Sequence, residues 1–130
     1  MYDLNNSVNL KSASEIAIMR EAGRINAETL KAVREAIAPG VTTGELNEVA
    51  EAVQRGYGVY SPFKHYPGPY PYPASICTSV NEELVHGIPG KRKLQEGDII
   101  SVDCGTVYQG YVGDSAFTTG VGEISPLAQK

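Results

Sequence analysis

A chain of 130 residues is long enough for one domain with a real hydrophobic core. Its 42% hydrophobic and 20% charged residues are ordinary for a globular protein and exclude disorder as the default. A net charge of −4 with only 11 basic residues leaves no basic patch, which argues against nucleic acid or an anionic membrane as main partner.

Residues 1–10 show no basic start and no apolar block, so no secretory signal is expected there. No run approaches the roughly 20 apolar residues of a membrane span, and a cytoplasmic protein is expected. In chain order, Ser12 and Glu15 have the spacing of a capping box and predict a helix start. Behind them Ile16, Met19, Gly23, Ala27, Leu30, Val33 and Ile37 recur at three- and four-residue steps. They predict one apolar stripe of a long amphipathic helix, stopped by Pro39-Gly40. A second box, Thr42 with Glu45, opens a shorter helix with Leu46, Val49, Ala50 and Val53 on one face and Gly56 at its end. Residues 57–73 are rich in Pro, Gly and Tyr and read as a loop within a single domain spanning 1–130. From Ala74 the signal turns to β, with short runs at 75–80, 99–103, 106–108 and 116–119 between Gly-containing turns. Cys77 and Cys104 form no C-x-x-C pair and read as buried free thiols. Ser125-Pro126 is a good helix start with only Leu127 to Lys130 behind it, so the sequence reads either as cut there or as ending in a capped turn.

The chemistry concentrates between Asp103 and Asp114. Residues 99–119 read as a β-hairpin with its turn within Tyr108-Gln109-Gly110. If Tyr108 and Gln109 form the loop, the two aspartates stand directly opposite each other on one face. If Gln109 and Gly110 form it, Asp114 is diagonal to Asp103, still within roughly 7–8 Å. Facing like charges destabilise a sheet, and burying them unpaired costs several kcal/mol each. A divalent cation removes that penalty, and two cations about 3.5–4 Å apart fit the two-metal pattern of hydrolases. The plain alternative is two exposed aspartates near turns. His86, followed by Gly87 and close to Pro89, is either a locally hydrogen-bonded surface residue or a group held against a ligand. His65 reads as a surface residue and Lys91-Arg92-Lys93 as a solvated turn. Tyr66, Tyr70 and Tyr72 either line an apolar pocket or cover the sheet.

Four segments in register resemble the bacterial type I methionine aminopeptidases: Pro73 to Glu82, Val85 to Pro89, Glu96 to Asp103 and Gly110 to Ser115. Lys11 to Gly23 and Ala38 to Thr43 also look like that family's first two helices. The His-Gly-Ile-Pro element, His86 to Pro89, separates the chain from prolidase and creatinase relatives, which share the two-aspartate hairpin. The resemblance implies an α/β fold, half of a pita-bread (creatinase/aminopeptidase) fold, with two N-terminal helices on one face of an antiparallel sheet. It implies Asp103 as a bidentate metal ligand, Asp114 as a bridging one, and His86 as a catalytic residue that hydrogen-bonds the substrate. Tyr72 and Cys77 match positions lining the pocket for the methionine side chain, where a flexible thioether packs well. The implied reaction is removal of an initiator methionine from a peptide, and the implied cofactors are two divalent ions drawn from cobalt, manganese, iron or zinc.

The sequence also departs from the family pattern. The family's remaining ligands, a His and two Glu, belong to a second half and have no counterpart here; His65 and Glu123 do not match them. The spacing of residues 61–73 differs, and Val112 stands where many relatives carry a non-ligand histidine. Two expectations follow. One is a hydrolase site to be completed by further polypeptide, inactive as it stands. The other is a non-catalytic half-fold that forms a homodimer over its open sheet face.

Overall fold

The computed structural model describes residues 8–130; most of the stretch read as free of a signal, residues 1–7, lies outside them. Two helices, α1 (Ala13–Ala36) and α2 (Thr43–Gly56), precede three strands, β1 (Ile76–Val80), β2 (Ile99–Tyr108) and β3 (Tyr111–Gly120). The strands form one antiparallel sheet in the order β1-β2-β3. Both helices lie on one face of it, and no helix among the described residues is long and apolar enough to cross a membrane.

Helix α1 begins where Ser12 Oγ accepts from the Glu15 N–H at 3.2 Å, satisfying one of the free first-turn donors. It ends at Ala36, ahead of Pro39, which cannot continue it. Helix α2 has a complete capping box. Thr42 Oγ1 accepts from Glu45 N at 3.1 Å, and the Glu45 carboxylate accepts from Thr42 N at 2.7 Å. The core joins Leu30 and Val33 of α1, Leu46 and Ala50 of α2, Ile76 and Val80 of β1, Ile100, Val102 and Cys104 of β2, and Leu94 and Val121 from loops.

The stripe expected on α1 holds in its second half, where Leu30 and Val33 are buried and Ile37 packs on the core, and is out of phase in its first half. Ala22, Ile25, Asn26, Thr29, Leu30 and Val33 are the buried residues, whereas Ile16 is 45% exposed and Ala27 is exposed as well. Two polar residues occupy the sheet-facing line because their groups are satisfied there; Thr29 Oγ1 donates to the Ile25 carbonyl at 3.0 Å. An apolar count cannot see such positions. The strands expected at 99–103 and 106–108 are one, running through Cys104-Gly105, and β3 starts at Tyr111 rather than 116. Gly105 stays in the ladder because Pro62 and Phe63 cover it: a Cβ there would lie 2.8 Å from Pro62 Cγ. Residues 57–73 contain no helix or strand, only an isolated bridge from Tyr60 to Val107. At the other end Ser125 Oγ accepts from Ala128 N at 3.2 Å and caps a turn.

The Thr42 N–H and hydroxyl hold the Glu45 carboxyl below its ordinary pKa. A depressed folded-state pKa gives stability that is present above the unfolded value and is lost as pH falls through the folded one. Glu45→Gln is therefore expected to melt below the parent at neutral pH, and the gap to close as pH falls through the lowered Glu45 range. Thr42→Ala should lose about 1 kcal/mol. Thermal melts across pH check both; a gap that widens in acid contradicts the linkage.

Candidate functional site

The hairpin turn is made by Gln109 and Gly110, with φ of 47° and 81°. Positive φ at both central residues suits a two-residue hairpin loop, whose twist matches that of the strands. The register then pairs Asp103 with Ala116 and Gly105 with Asp114. Of the two arrangements open to the sequence, the diagonal one is found. Both carboxylates share the sheet face away from the helices, because partners and next-but-one neighbours alternate together.

Local packing sets each position. Val102 and Cys104, either side of Asp103, are fully buried on the helix face, which turns Asp103 to the other side. Gly113, before Asp114, lies so close to α1 that a Cβ would meet Gly23 N at 2.7 Å. Only glycine allows that approach, and it fixes the height of β3 against the helix. His86 has φ of 60°, a left-handed conformation that His adopts more readily than most residues. The next residue anchors it: Thr78 N donates to the Gly87 carbonyl at 2.8 Å, and Gly87 N donates to Ser79 Oγ at 3.1 Å. The Tyr72 hydroxyl donates to the carbonyls of Ile76 at 2.9 Å and Gly87 at 3.1 Å, tying the Pro/Tyr loop to β1 and to the His86 turn.

These elements enclose an open cleft of about 550 Å³ lined by Phe63, Tyr66, Tyr72, Cys77, His86, Ile88, Asp103 and Asp114. All five residues singled out from sequence, His86, Asp103, Asp114, Tyr72 and Cys77, stand in it. Tyr66, for which the sequence left open a pocket or a cover over the sheet, lines it as well. Phe63 and Ile88 were missed; the irregular loop carrying Phe63 has no period to read. Tyr70 is almost fully exposed, and His65 lies in a different depression beside Lys64 and Glu51. Cys77 and Cys104 are both free and buried.

The electrostatics match the crowding. Asp103 is half-buried, and its carboxyl is held above the usual range, first by burial and then by the Asp114 charge; His86 acts in the opposite direction. Burial pushes the Tyr72 hydroxyl and the Cys77 thiol up as well, and the Cys104 thiol to about 12. Asp103 Oδ1 is buried with no hydrogen-bond partner. A buried carboxylate oxygen without a donor is costly unless a cation completes it. The two carboxylates thus fit a divalent cation as hard oxygen donors. They are a partial set: among the described residues no three His, Cys, Asp or Glu side chains stand together as a metal cluster.

A raised folded-state carboxyl pKa reverses the linkage seen at Glu45. The folded protein holds the proton more tightly than the unfolded chain, so this group costs stability as pH rises through that window. Asp103→Asn is expected to raise the melting temperature of metal-free protein at neutral pH, with the gain shrinking in acid. Calorimetry in a chelating buffer checks this; a lower melting temperature at neutral pH would mean that Asp103 is held by a favourable contact.

The sequence pattern of metallopeptidase family M24 matches residues 17–130. The methionine aminopeptidase of Clostridium acetobutylicum is 52% identical over 122 residues, covering 93% of this chain and 48% of that protein. The crystal structure of methionine aminopeptidase from Thermotoga maritima superposes with a TM-score of 0.88 at 42% identity, over 94% of this chain and 48% of that one. An Xaa-Pro dipeptidase from Bacillus anthracis gives a TM-score of 0.75 at 26% identity, over 92% of this chain and 32% of that one. The chain spans about half the length of the methionine aminopeptidases that it matches. Its two helices and three antiparallel strands are half of a pita-bread fold. With the family pattern covering nearly all of it, the chain belongs to metallopeptidase family M24.

Proposed function

We propose that this chain supplies the two-aspartate part of a metal-dependent methionine aminopeptidase site, acting in the cytoplasm on peptides with an initiator methionine. The observation that carries the proposal is the convergence of Asp103 and Asp114 on one sheet face, with a buried Asp103 oxygen that no protein donor satisfies. Asp103 and Asp114 would hold the cation, which when bound polarises a carbonyl and lowers the pKa of its water. Oxygen ligands suit the harder choices among cobalt, manganese, iron and zinc. His86, exposed at the rim, offers its imidazole to the peptide as a hydrogen-bonding group. Tyr72, Cys77, Phe63 and Ile88 form an apolar wall suited to a thioether side chain. The Tyr72 hydroxyl is spent on two backbone carbonyls, so Tyr72 presents its ring rather than a proton.

Two carboxylates are too few ligands for a working hydrolase centre. The expected outcome for the 130-residue protein with manganese or cobalt is no cleavage of Met-Ala-Ser above buffer. Equilibrium dialysis should still register cobalt(II) binding that Asp103→Ala or Asp114→Ala abolishes. A peptidase rate that disappears in Asp103→Ala would overturn the half-site reading; cobalt binding unchanged in both variants would remove the carboxylates from it.

A second reading, a half-fold that forms a homodimer, draws on the exposure of Leu84, Val85 and Ile88, which are 87%, 62% and 60% accessible beside His86. Apolar side chains grouped at a cleft rim suit coverage by another polypeptide. Light scattering at tens of micromolar separates the readings: a dimeric mass supports this one and a monomeric mass removes it.

A further inference from the structure

The two hairpin registers open to the sequence differ by two residues. A one-residue slip turns every β3 side chain to the other sheet face, and burial forbids it. A two-residue slip keeps every face, so hydrophobic patterning does not oppose it. That slip nevertheless carries Asp114 from its place diagonal to Asp103 to one directly opposite, changing the gap between two like charges. The slip would also bring Tyr111 to the place of Gly113, where a Cβ meets Gly23 N at 2.7 Å, and a second contact next to the carboxylates adds to that barrier.

Asn26 of α1 is fully buried against the sheet, with 0% exposure. Its Nδ2 donates to the Cys104 carbonyl at 3.0 Å and to Ser115 Oγ at 2.8 Å. Cys104 and Ser115 are partners across the ladder, and each directly follows one of the two aspartates. A single amide therefore clamps the rung next to both carboxylates. Its Oδ1 accepts from Thr106 Oγ1 at 2.9 Å, and Gln54 Nε2 of α2 reaches Thr106 Oγ1 at 3.3 Å and the Gly105 carbonyl at 2.9 Å. In the shifted register Cys104 would face Gly113, which has no side-chain acceptor. Asn26 would then keep a buried donor without a partner, a penalty that the observed register avoids.

We infer that Asn26 is a positioning residue that, together with the Gly113 seat on α1, fixes the β2–β3 register and, through it, the spacing of Asp103 and Asp114. Its consequence for cation binding rests on the reading of those aspartates as ligands; its consequence for register does not. The test compares Asn26→Ala with Val33→Ala, a core truncation on the same helix that removes no side-chain hydrogen bond to the sheet. In metal-free Asn26→Ala, nuclear Overhauser contacts between Asp103 and Ala116 should weaken and contacts between Asp103 and Asp114 should appear; Val33→Ala should keep the parent pattern. Cobalt(II) affinity, measured where each variant is fully folded, should fall about 10- to 100-fold in Asn26→Ala and stay unchanged in Val33→Ala. If Asn26→Ala does not fold, Ser115→Ala removes one of the two clamping bonds from an exposed position and should shift both readouts in the same direction. Parent-like strand contacts in the variant overturn the inference, and so do equal losses of affinity in Asn26→Ala and Val33→Ala. A parent protein that binds no cobalt sinks the ligand reading alone, while the strand contacts still decide the register.

Discussion

Two carboxylates on one face of an antiparallel hairpin repel each other, and the rest of the molecule is arranged to keep them there. Asp103 and Asp114 sit diagonally across β2 and β3, close enough for the Asp114 charge to hold the Asp103 carboxyl above its usual range. Left to themselves, like charges on one sheet face favour splaying. The helix layer opposes it. Val102 and Cys104 anchor the inner face of β2, and the bare backbone of Gly113 seats β3 against Gly23 of α1. The arrangement trades stability for a fixed concentration of negative charge, which makes sense where a cation is to be held.

The cleft around the aspartates is built by backbone more than by side chains. The Pro/Tyr loop folds over β2 at Gly105, where absence of a Cβ lets Pro62 and Phe63 lie on the sheet. The Tyr72 hydroxyl joins that loop to β1 and to the turn that carries His86. His86 is thus aimed by its neighbours' hydrogen bonds and by its own left-handed backbone. Three separate chain segments deliver an aromatic wall, an imidazole and two carboxylates to one cleft. The apolar surface at its rim, Leu84, Val85 and Ile88, is left open on the described residues.

Legibility in the sequence followed the range of the interactions. Helix starts were readable because Ser12, Thr42 and Glu45 act on backbone within three residues. The hairpin was readable from alternation and from Gly110, but its register was not, since both candidate loops keep every face. The phase of α1 was read correctly at Leu30 and Val33 but misread in its first half, where the buried line runs through Asn26 and Thr29, polar residues satisfied by partners that sequence spacing does not reveal. The break expected in β2 came from treating Gly105 as a turn; long-range cover by Pro62 and Phe63 keeps it in the strand. Phe63 was invisible as a cleft residue for the same reason, whereas Tyr66 was open to a pocket reading that composition alone could not decide. The candidate site was more legible than the packing behind it, because its motifs are local in sequence and resemble a family, whereas Asn26 acts across 78 residues to reach Cys104.

On the proposed reading, the paired aspartates hold a cation and are not incidental surface charge. Manganese(II) titrated into isotopically labelled protein tests it directly, because its unpaired electrons broaden amide signals close to wherever it sits. Selective broadening centred on residues 86, 103 and 114 is the predicted result. Broadening spread over the exposed acidic residues of α1 and α2, or none at all around Asp103, would contradict it.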